Sequence, residues 1–134
     1  MKLITRNTDY ALRALCYIAK QDKSKVRAEE LVNKLGVPQS FMRKILQLLS
    51  KNKVLESSKG QNGGFKLRIP AGKIYLIKIM RIFQGELGLN TCFLKKNICP
   101  NKGKCVLRKK LNSIEEDVIR QLKAINIASL LSRC

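Results

Sequence analysis

Three cysteines with the potential for metal or redox chemistry lie in one short segment of the chain. Cys92, Cys99 and Cys105 follow the spacing C-x6-C-x5-C. Pro100 and Gly103 interrupt the segment, which predicts a loop and not a helix or strand. The lysines around the three thiols favour the thiolate that metals and oxidants require. The pattern indicates a metal or iron–sulfur site, and the alternative is a set of reduced, inert thiols.

The fourth ligand of such a site is not evident from the sequence. The chain contains no histidine, which excludes the common Cys/His zinc sets. Iron–sulfur clusters also prefer four protein ligands. A carboxylate, another cysteine, an exogenous thiol or a residue of a second subunit could complete the set. Cys16 lies in a predicted buried helix and Cys134 is the last residue, so neither is favoured.

Composition limits the classes of function. The 134 residues, 45% of them hydrophobic, are enough for one domain with an appended dimerisation element. With 28 Lys and Arg against 9 Asp and Glu, the formal net charge of +19 predicts nucleic acid as a partner, the alternative being a solvated lysine-rich surface. No signal-peptide core and no apolar run of membrane-spanning length is present. We therefore expect a cytoplasmic protein with no membrane association.

The N-terminal half predicts a helix-turn-helix. An apolar helix runs from Thr5 to Lys20 and has to be covered on several sides. Two further helices follow, from Ala28 to Leu35 and from Phe41 to Lys51. Between them, Gly36 supplies a left-handed turn residue and Pro38 suits the start of the next helix.

The last of these helices has the composition of a DNA recognition helix. Its predicted core face consists of Phe41, Ile45, Leu48 and Leu49. Arginine and glutamine can contact base edges, while lysine and serine can hold phosphates. We expect its other face to bind DNA through Gln39, Ser40, Arg43, Lys44 and Gln47.

A β-hairpin is predicted directly after this helix. One strand starts at Val54, Lys59 to Gly64 form a turn, and Phe65 to Ile69 alternate apolar and basic residues. A helix-turn-helix followed by such a hairpin is a winged helix, whose glycine-rich tip can approach a DNA groove closely. The wing residues expected at DNA are Lys59, Gln61, Asn62 and Lys66.

The C-terminal part predicts an apolar helix from Ile74 to Phe83, then the cysteine loop, then a long helix. Apolar residues of the long helix recur every three or four positions, as in a coiled coil about 20 residues long. These residues are Leu107, Leu111, Ile114, Val118, Leu122 and Ile125. A helix of this kind predicts a homodimer that binds a palindromic operator. The fold is thus mainly α, with a winged helix-turn-helix at 1–84, a cluster-binding loop at 85–105, and a dimerisation helix and tail at 106–134.

Four segments together resemble a known family. They are T-D-Y-A-L-R-A-L, L-G-V-P-Q-S-F-M-R-K-I-L-Q-L-L, K-G-Q-N-G-G-F-K-L and the three-cysteine loop. In this order they are similar to the Rrf-type (BadM-like) bacterial transcription regulators, over nearly the whole chain. The resemblance implies a homodimeric winged-helix repressor that binds double-stranded DNA. It also implies that Cys92, Cys99 and Cys105 bind a [4Fe-4S] or [2Fe-2S] cluster.

Two positions distinguish subgroups of this family. Arg108 stands where IscR-like members carry a ligand histidine. The chain is therefore closer in pattern to NsrR-like members, which implies a [4Fe-4S] cluster whose fourth ligand is Asp9 of the other subunit. The alternative is that Asp9 serves only the helix dipole at its own helix start. The wing carries Lys59 where IscR-like wings have an arginine.

The leading hypothesis is therefore a DNA-binding regulator whose affinity depends on a cluster that senses nitric oxide, redox state or iron. A second hypothesis keeps the DNA binding but has no cluster, with thiols that sense oxidants directly or a partner protein as the sensor. An enzyme is not expected, because the sequence shows no phosphate-binding glycine motif before a helix and no nucleophile with a base.

Overall fold

A computed structural model describes residues 2–21, 25–88 and 104–131 of the chain. Its fold is mainly helical with one small antiparallel sheet, as predicted. The helices are α1 (Arg6–Lys20), α2 (Ala28–Leu35), α3 (Gln39–Lys51), α4 (Leu76–Gln84), α5 (Val106–Lys123) and α6 (Ile127–Leu130). The strands are β1 (Leu55–Ser58) and β2 (Gly64–Leu67), and a single 3₁₀ turn (Ala71–Lys73) precedes α4.

Helix α1 lies at the centre of the core. It begins after Thr5, whose side-chain oxygen accepts a hydrogen bond from the Thr8 amide at 3.4 Å. Its apolar side is closed by the other N-terminal elements and by α6. The buried apolar residues of α1 are Ala11, Ala14, Leu15, Cys16 and Ile18. The prediction of a helix that is covered on several sides is confirmed, and Cys16 packs as a small core residue.

The helix-turn-helix has the predicted turn. Gly36 ends α2 in the left-handed conformation, with φ of 67°, and its amide donates to the Val32 carbonyl at 3.0 Å. An L-residue other than glycine pays a steric cost in that conformation. Pro38 is the last residue before α3, which then begins at Gln39. Gly36 and Pro38 therefore have their predicted places in the turn, but α3 starts two residues earlier than the predicted Phe41.

The core face of α3 differs from the prediction. Phe41 and Leu48, expected in the core, are 41% and 39% exposed. The buried residues of α3 are Met42, Ile45, Leu46 and Leu49. Two overlapping apolar stripes satisfy the helical period in this segment, and the packing of α1, α2 and β1 on α3 selects the second stripe. Phe41 instead lies at the rim, where its ring meets Tyr10 edge-on with centroids 6.5 Å apart.

The predicted hairpin is present and is extended by a third segment. β1 and β2 pair from Leu55 opposite Leu67 to Ser58 opposite Gly64. Val26, just before α2, forms a bridge with Phe65 on the outer side of β2. Strand β2 ends at Leu67 and not at the predicted Ile69.

Helix α4 starts two residues later than the sequence pattern predicted. Ile74 and Tyr75 are extended and not helical, because they pair with the chain that returns after α5. The Leu76 amide donates to the Ile125 carbonyl and the Ile127 amide donates to the Ile74 carbonyl, each at 2.9 Å. The apolar pattern alone could not show this pairing, since its partner lies about 50 residues further along the chain.

The apolar seam of α5 is divided between two environments. At its C-terminal end, Leu122 is buried against Leu76 and Met80 of α4, with Val118 and Ile125 beside it. At its N-terminal end, Leu107 and Ile114 are 65% and 56% exposed. The segment after α5, expected as a tail, contains α6, and Ile127 is fully buried in the main core. The chain thus leaves this core after α4 and rejoins it at α6.

Candidate DNA-binding surface and cysteine segment

The residues expected at DNA are all exposed. Those of α3 are Gln39, Ser40, Arg43, Lys44 and Gln47, and those of the wing are Lys59, Gln61, Asn62 and Lys66. Lys66 lies across the hairpin from Glu56, with its Nζ 3.5 Å from a carboxylate oxygen. Because both side chains are about half exposed, this ion pair contributes little stability. The Lys66 ammonium can therefore exchange Glu56 for a phosphate.

The wing is attached to the helix-turn-helix at two places. On strand β2, close to the turn, Val26 and Phe65 exchange two backbone hydrogen bonds of 2.8 and 2.7 Å. At its tip, the Arg27 guanidinium donates a hydrogen bond to the backbone carbonyl of Gln61. Arg27 was not among the residues predicted to contact the wing or DNA. Its only signal was a cation directly before α2, which by itself does not identify a contact about 30 residues away.

Asp9 lies in the first turn of α1 and is ion-paired. Its Oδ2 accepts a hydrogen bond from Nε of Arg13 at 2.9 Å, and the Asp9 side chain is 46% exposed. Asp9 also lines an apolar groove of about 470 Å³ between α1, the end of α2 and α6. The other residues lining it are Leu12, Arg13, Cys16, Tyr17, Lys20, Leu35 and Leu130. The carboxylate is accessible at one end of this groove.

Cys105 is the residue at which α5 begins. Its Sγ accepts a hydrogen bond from the Arg108 amide at 3.4 Å, and the residue is half-buried. Cys92 and Cys99 lie outside the described residues. Within residues 2–21, 25–88 and 104–131, no group of three or more Cys, Asp or Glu side chains lies close enough to hold a metal ion. The predicted ligand set therefore has two members in the described part, Cys105 and Asp9.

The start of the cysteine segment is tied to α1 through Gln84. Oε1 of Gln84 accepts hydrogen bonds from the Thr5 amide at 3.1 Å and from the buried Thr8 hydroxyl at 2.8 Å. Nε2 of Gln84 donates to the Leu3 carbonyl at 2.9 Å. Gly85, with φ of 77°, then ends α4. The chain therefore enters the cysteine segment from a point fixed to the helix that carries Asp9.

Helices α1 and α2 are joined by a polar contact beside the groove. The Tyr17 hydroxyl donates to Oε1 of Glu30 at 2.7 Å. This hydrogen bond raises the pKa of the Tyr17 phenol, and desolvation and the Glu30 charge act in the same direction. The phenol consequently stays protonated at neutral pH and remains a donor.

Among the described residues, no helix is long and apolar enough to cross a membrane.

This fold and surface define a winged-helix DNA-binding protein, and comparison with known proteins gives the family. The model of the family described as "Rrf2: Iron-dependent Transcriptional regulator" matches residues 4–133. The chain belongs to this family. Its members are transcription regulators and not enzymes, which agrees with the expectation from sequence.

Individual relatives support this assignment. The chain is 34% identical to Protein aau3 of Rhizobium meliloti over 118 residues, covering 84% of this chain and 77% of that protein. It is 28% identical to the HTH-type transcriptional regulator NsrR of Oceanobacillus iheyensis, covering 96% of this chain and 88% of that protein.

Solved structures share the fold. CymR, described as the global cysteine regulator of B. subtilis, has a TM-score of 0.81 at 18% identity, covering 100% of this chain and 99% of that one. Staphylococcus aureus CymR, solved in an oxidised form, has a TM-score of 0.73 at 19% identity and covers 100% and 98%. IscR of T. potens has a TM-score of 0.76 at 17% identity and covers 98% and 87%.

Proposed function

We propose that this protein is a homodimeric repressor that acts in the cytoplasm and binds a palindromic operator through α3 and the wing. Its affinity for DNA responds to an iron–sulfur cluster, with [4Fe-4S] favoured over [2Fe-2S]. Cys92, Cys99 and Cys105 of one subunit and Asp9 of the other are the proposed ligands. A bound cluster would supply a centre that reacts with nitric oxide or oxygen and that depends on iron supply.

The DNA-binding part is supported by the exposed polar face of α3 and by the net charge of +19. Such a surface binds largely by displacing counterions from phosphates. If the dimer contacts about eight phosphates, the logarithm of the binding constant should fall with the logarithm of the salt concentration at a slope near −7. A slope near −1 or −2 on the duplex that the protein prefers would contradict DNA as the principal partner.

The dimer is supported by two exposed apolar surfaces, one at the start of α5 and one in the groove on α1, which are chemically suited to pack against each other. Val106 and Leu107 are each 65% exposed and follow Cys105 directly. The groove on α1 offers apolar side chains, among them Leu12 and Leu35, at a place where Asp9 is accessible. If the start of the partner's α5 occupies this groove, the partner's Cys105 comes to the end of the groove that carries Asp9.

The observation that carries the sensor is the position of Cys105. Its sulfur stands at the N-terminus of α5, where the helix dipole and a backbone amide favour a negative group such as a ligating thiolate. Because α5 begins at this residue, a change at the sulfur acts on the end of the proposed dimerisation helix. The donor set of three thiols and one carboxylate fits iron, with the carboxylate as the hardest and weakest ligand.

Anaerobic purification tests the cluster directly. We expect a brown protein with broad visible absorption and with iron and sulfide in similar amounts. Replacing Cys92, Cys99 or Cys105 by serine should each remove the iron, because two strong ligands are too few to hold the cluster. Cys16→Ala and Cys134→Ser are the matched controls and should retain it. A colourless protein without sulfide would contradict the proposal.

The role of Asp9 needs a control for its ion pair. Asp9→Ala should change the spectrum and the rate of reaction with nitric oxide, because one iron loses its carboxylate. The control Arg13→Ala removes the same ion pair but keeps the carboxylate, so the spectrum should stay as it was. If both variants behave alike, or if Asp9→Ala changes nothing, Asp9 only supports the start of α1, where its loss costs about 0.3–1 kcal/mol.

The second candidate is a regulator without a cluster whose thiols react with oxidants. The likeness to CymR, which has been solved in an oxidised form, favours keeping this candidate. Under it, the anaerobic protein is colourless, and mild oxidation changes DNA affinity in a way that a thiol reductant reverses. Cys105→Ser then abolishes the response to oxidant with no iron present at any stage.

A further inference from the structure

We propose that Arg27 is a positioning residue for DNA recognition, which fixes the wing tip in place before DNA is bound. The Arg27 guanidinium donates a hydrogen bond to the Gln61 carbonyl, and Arg27 is the residue directly before α2. The contact therefore joins the tip of the hairpin to the first helix of the helix-turn-helix. The inference rests on the proposed contact of the wing with DNA.

The hairpin needs such support because it is small. Each strand has four residues, and an isolated two-stranded hairpin of this size is marginally stable in water. Its tip is closed by one hydrogen bond, from the Gly63 amide to the Gly60 carbonyl at 3.0 Å. Without a further contact, the side chains of Lys59, Gln61 and Asn62 would lie on a segment free to move.

The turn end of β2 is held so closely against Val26 that it sets the place of the tip contact. Val26 is buried and bridges Phe65, so the residue before Arg27 is fixed in the sheet. A Cβ added at Gly64, where φ is +149°, would lie 2.8 Å from the Val26 carbonyl oxygen. Only glycine permits this approach. Val26 and Arg27 thus form one strap, with Val26 holding the start of β2 and Arg27 holding the tip.

A prepositioned tip matters because ordering a loop on binding costs free energy. If Arg27 has already ordered the tip, the wing meets DNA without that cost. An exposed hydrogen bond of this kind has a modest net effect, so its loss should weaken binding to a preferred duplex about three- to tenfold. Because Arg27 is itself an exposed cation, a direct phosphate contact is the competing explanation.

NMR relaxation of the free full-length protein separates the two explanations, since it requires no DNA. In Arg27→Ala, the order parameters of the Gly60 to Gly63 amides should fall from about 0.85 to below about 0.6, while the melting temperature stays the same. Gln61→Ala is the matched control: it keeps the backbone carbonyl that Arg27 contacts, so the order parameters should not change. Unchanged order parameters in Arg27→Ala would overturn the proposal.

The affinity measurement uses a duplex selected from a random library by the unaltered protein, with a scrambled duplex beside it. Arg27→Ala should weaken the selected duplex about three- to tenfold, in step with the loss of order at the tip. Arg27→Lys keeps the charge but not the guanidinium. Full affinity in Arg27→Lys with a mobile tip would show a charge contact to phosphate and would overturn positioning, as would full affinity in Arg27→Ala.

Discussion

Helices α1 and α5 have similar lengths but differ in how the chain covers them. Helix α1 has 15 residues and a buried side that runs from Thr8 to Ile18. Helix α5 has 18 residues, of which, within the described range 106–123, only Leu122 is buried. The first turn of α5 also carries Arg108 and Lys109, whose charges oppose the helix dipole.

The difference shows how much of each helix is buried by the single chain itself. Helix α1 is packed against the rest of its own subunit except along the groove that Asp9 lines, so the surface that it supports on α3 does not require a partner to form. The N-terminal half of α5 has no such cover among the described residues, and Leu107 and Ile114 are exposed there. We therefore expect the residues proposed to contact DNA and the proposed dimer contacts to be separable by substitution.

The largest expected effect is at α5. Ile114→Glu should raise the dimer dissociation constant at least about hundredfold, because a two-fold interface loses the buried side chain twice at about 1.5–3 kcal/mol each. Ser113→Glu, on the exposed side of the same turn, is the control and should leave the dimer intact. Sedimentation equilibrium measures both. Equal behaviour of the two variants would place the dimer contact elsewhere.

A matched pair on α3 tests which apolar residues belong to the core. Leu46→Ala should cost about 2–5 kcal/mol of unfolding free energy, because Leu46 is fully buried. Leu48→Ala should cost below about 1 kcal/mol, because Leu48 is largely exposed. Urea denaturation at one fixed protein concentration compares them. If Leu48→Ala lost more unfolding free energy than Leu46→Ala, the core face first predicted from the sequence would be correct.

The DNA-contacting face of α3 should act independently of α5. Arg43→Ala should weaken the selected duplex by about 1–3 kcal/mol per half-site and relax preference at one base pair, with the dimer unchanged. Lys66→Ala should instead weaken selected and scrambled duplexes alike, as a phosphate contact does. Competition binding with single-base variants measures this. Equal losses for Arg43→Ala on both duplexes would contradict a base contact.

The smallest expected effect is at the start of α1. Thr8→Val keeps the shape of the buried side chain but removes the hydroxyl that donates to Gln84, leaving the Gln84 amide oxygen with one donor fewer. We expect a loss of about 1–2 kcal/mol of unfolding free energy. In a double-mutant cycle with Gln84→Ala, the two losses should not add. Additive losses would mean that this contact does not connect α1 and α4.

Local signals predicted the order of the elements up to α5, both ends of α2 and the end of α3. Thr5 caps a helix through its own side chain, and Gly36 and Pro38 act through their own backbone preferences. The places of these three residues could therefore be predicted from the sequence. The choice between Phe41 and Met42 could not, because both fit the helical period and only the packing of α1, α2 and β1 on α3 decides. The start of α4, helix α6 and the Arg27 contact each depend on a residue far along the chain, which no local pattern encodes.

Residues for the candidate site could be proposed from the sequence, but their arrangement in space could not. Exposure of Arg43 and its neighbours on α3 follows from helical periodicity. That Asp9 lies on an apolar groove depends on how α1, α2 and α6 meet. The spacing of the cysteines gave no information on this, and the link to Asp9 came from the family resemblance alone.

The return of the chain at Ile127 has a consequence for biosynthesis. Ile127 fills the core around α1, and its amide pairs with Ile74, about 50 residues earlier. On the ribosome, the DNA-binding half cannot complete its core until α5 has been synthesised and α6 has emerged. A product that ends before α6 would lack this core residue, so the core around α1 would stay incomplete.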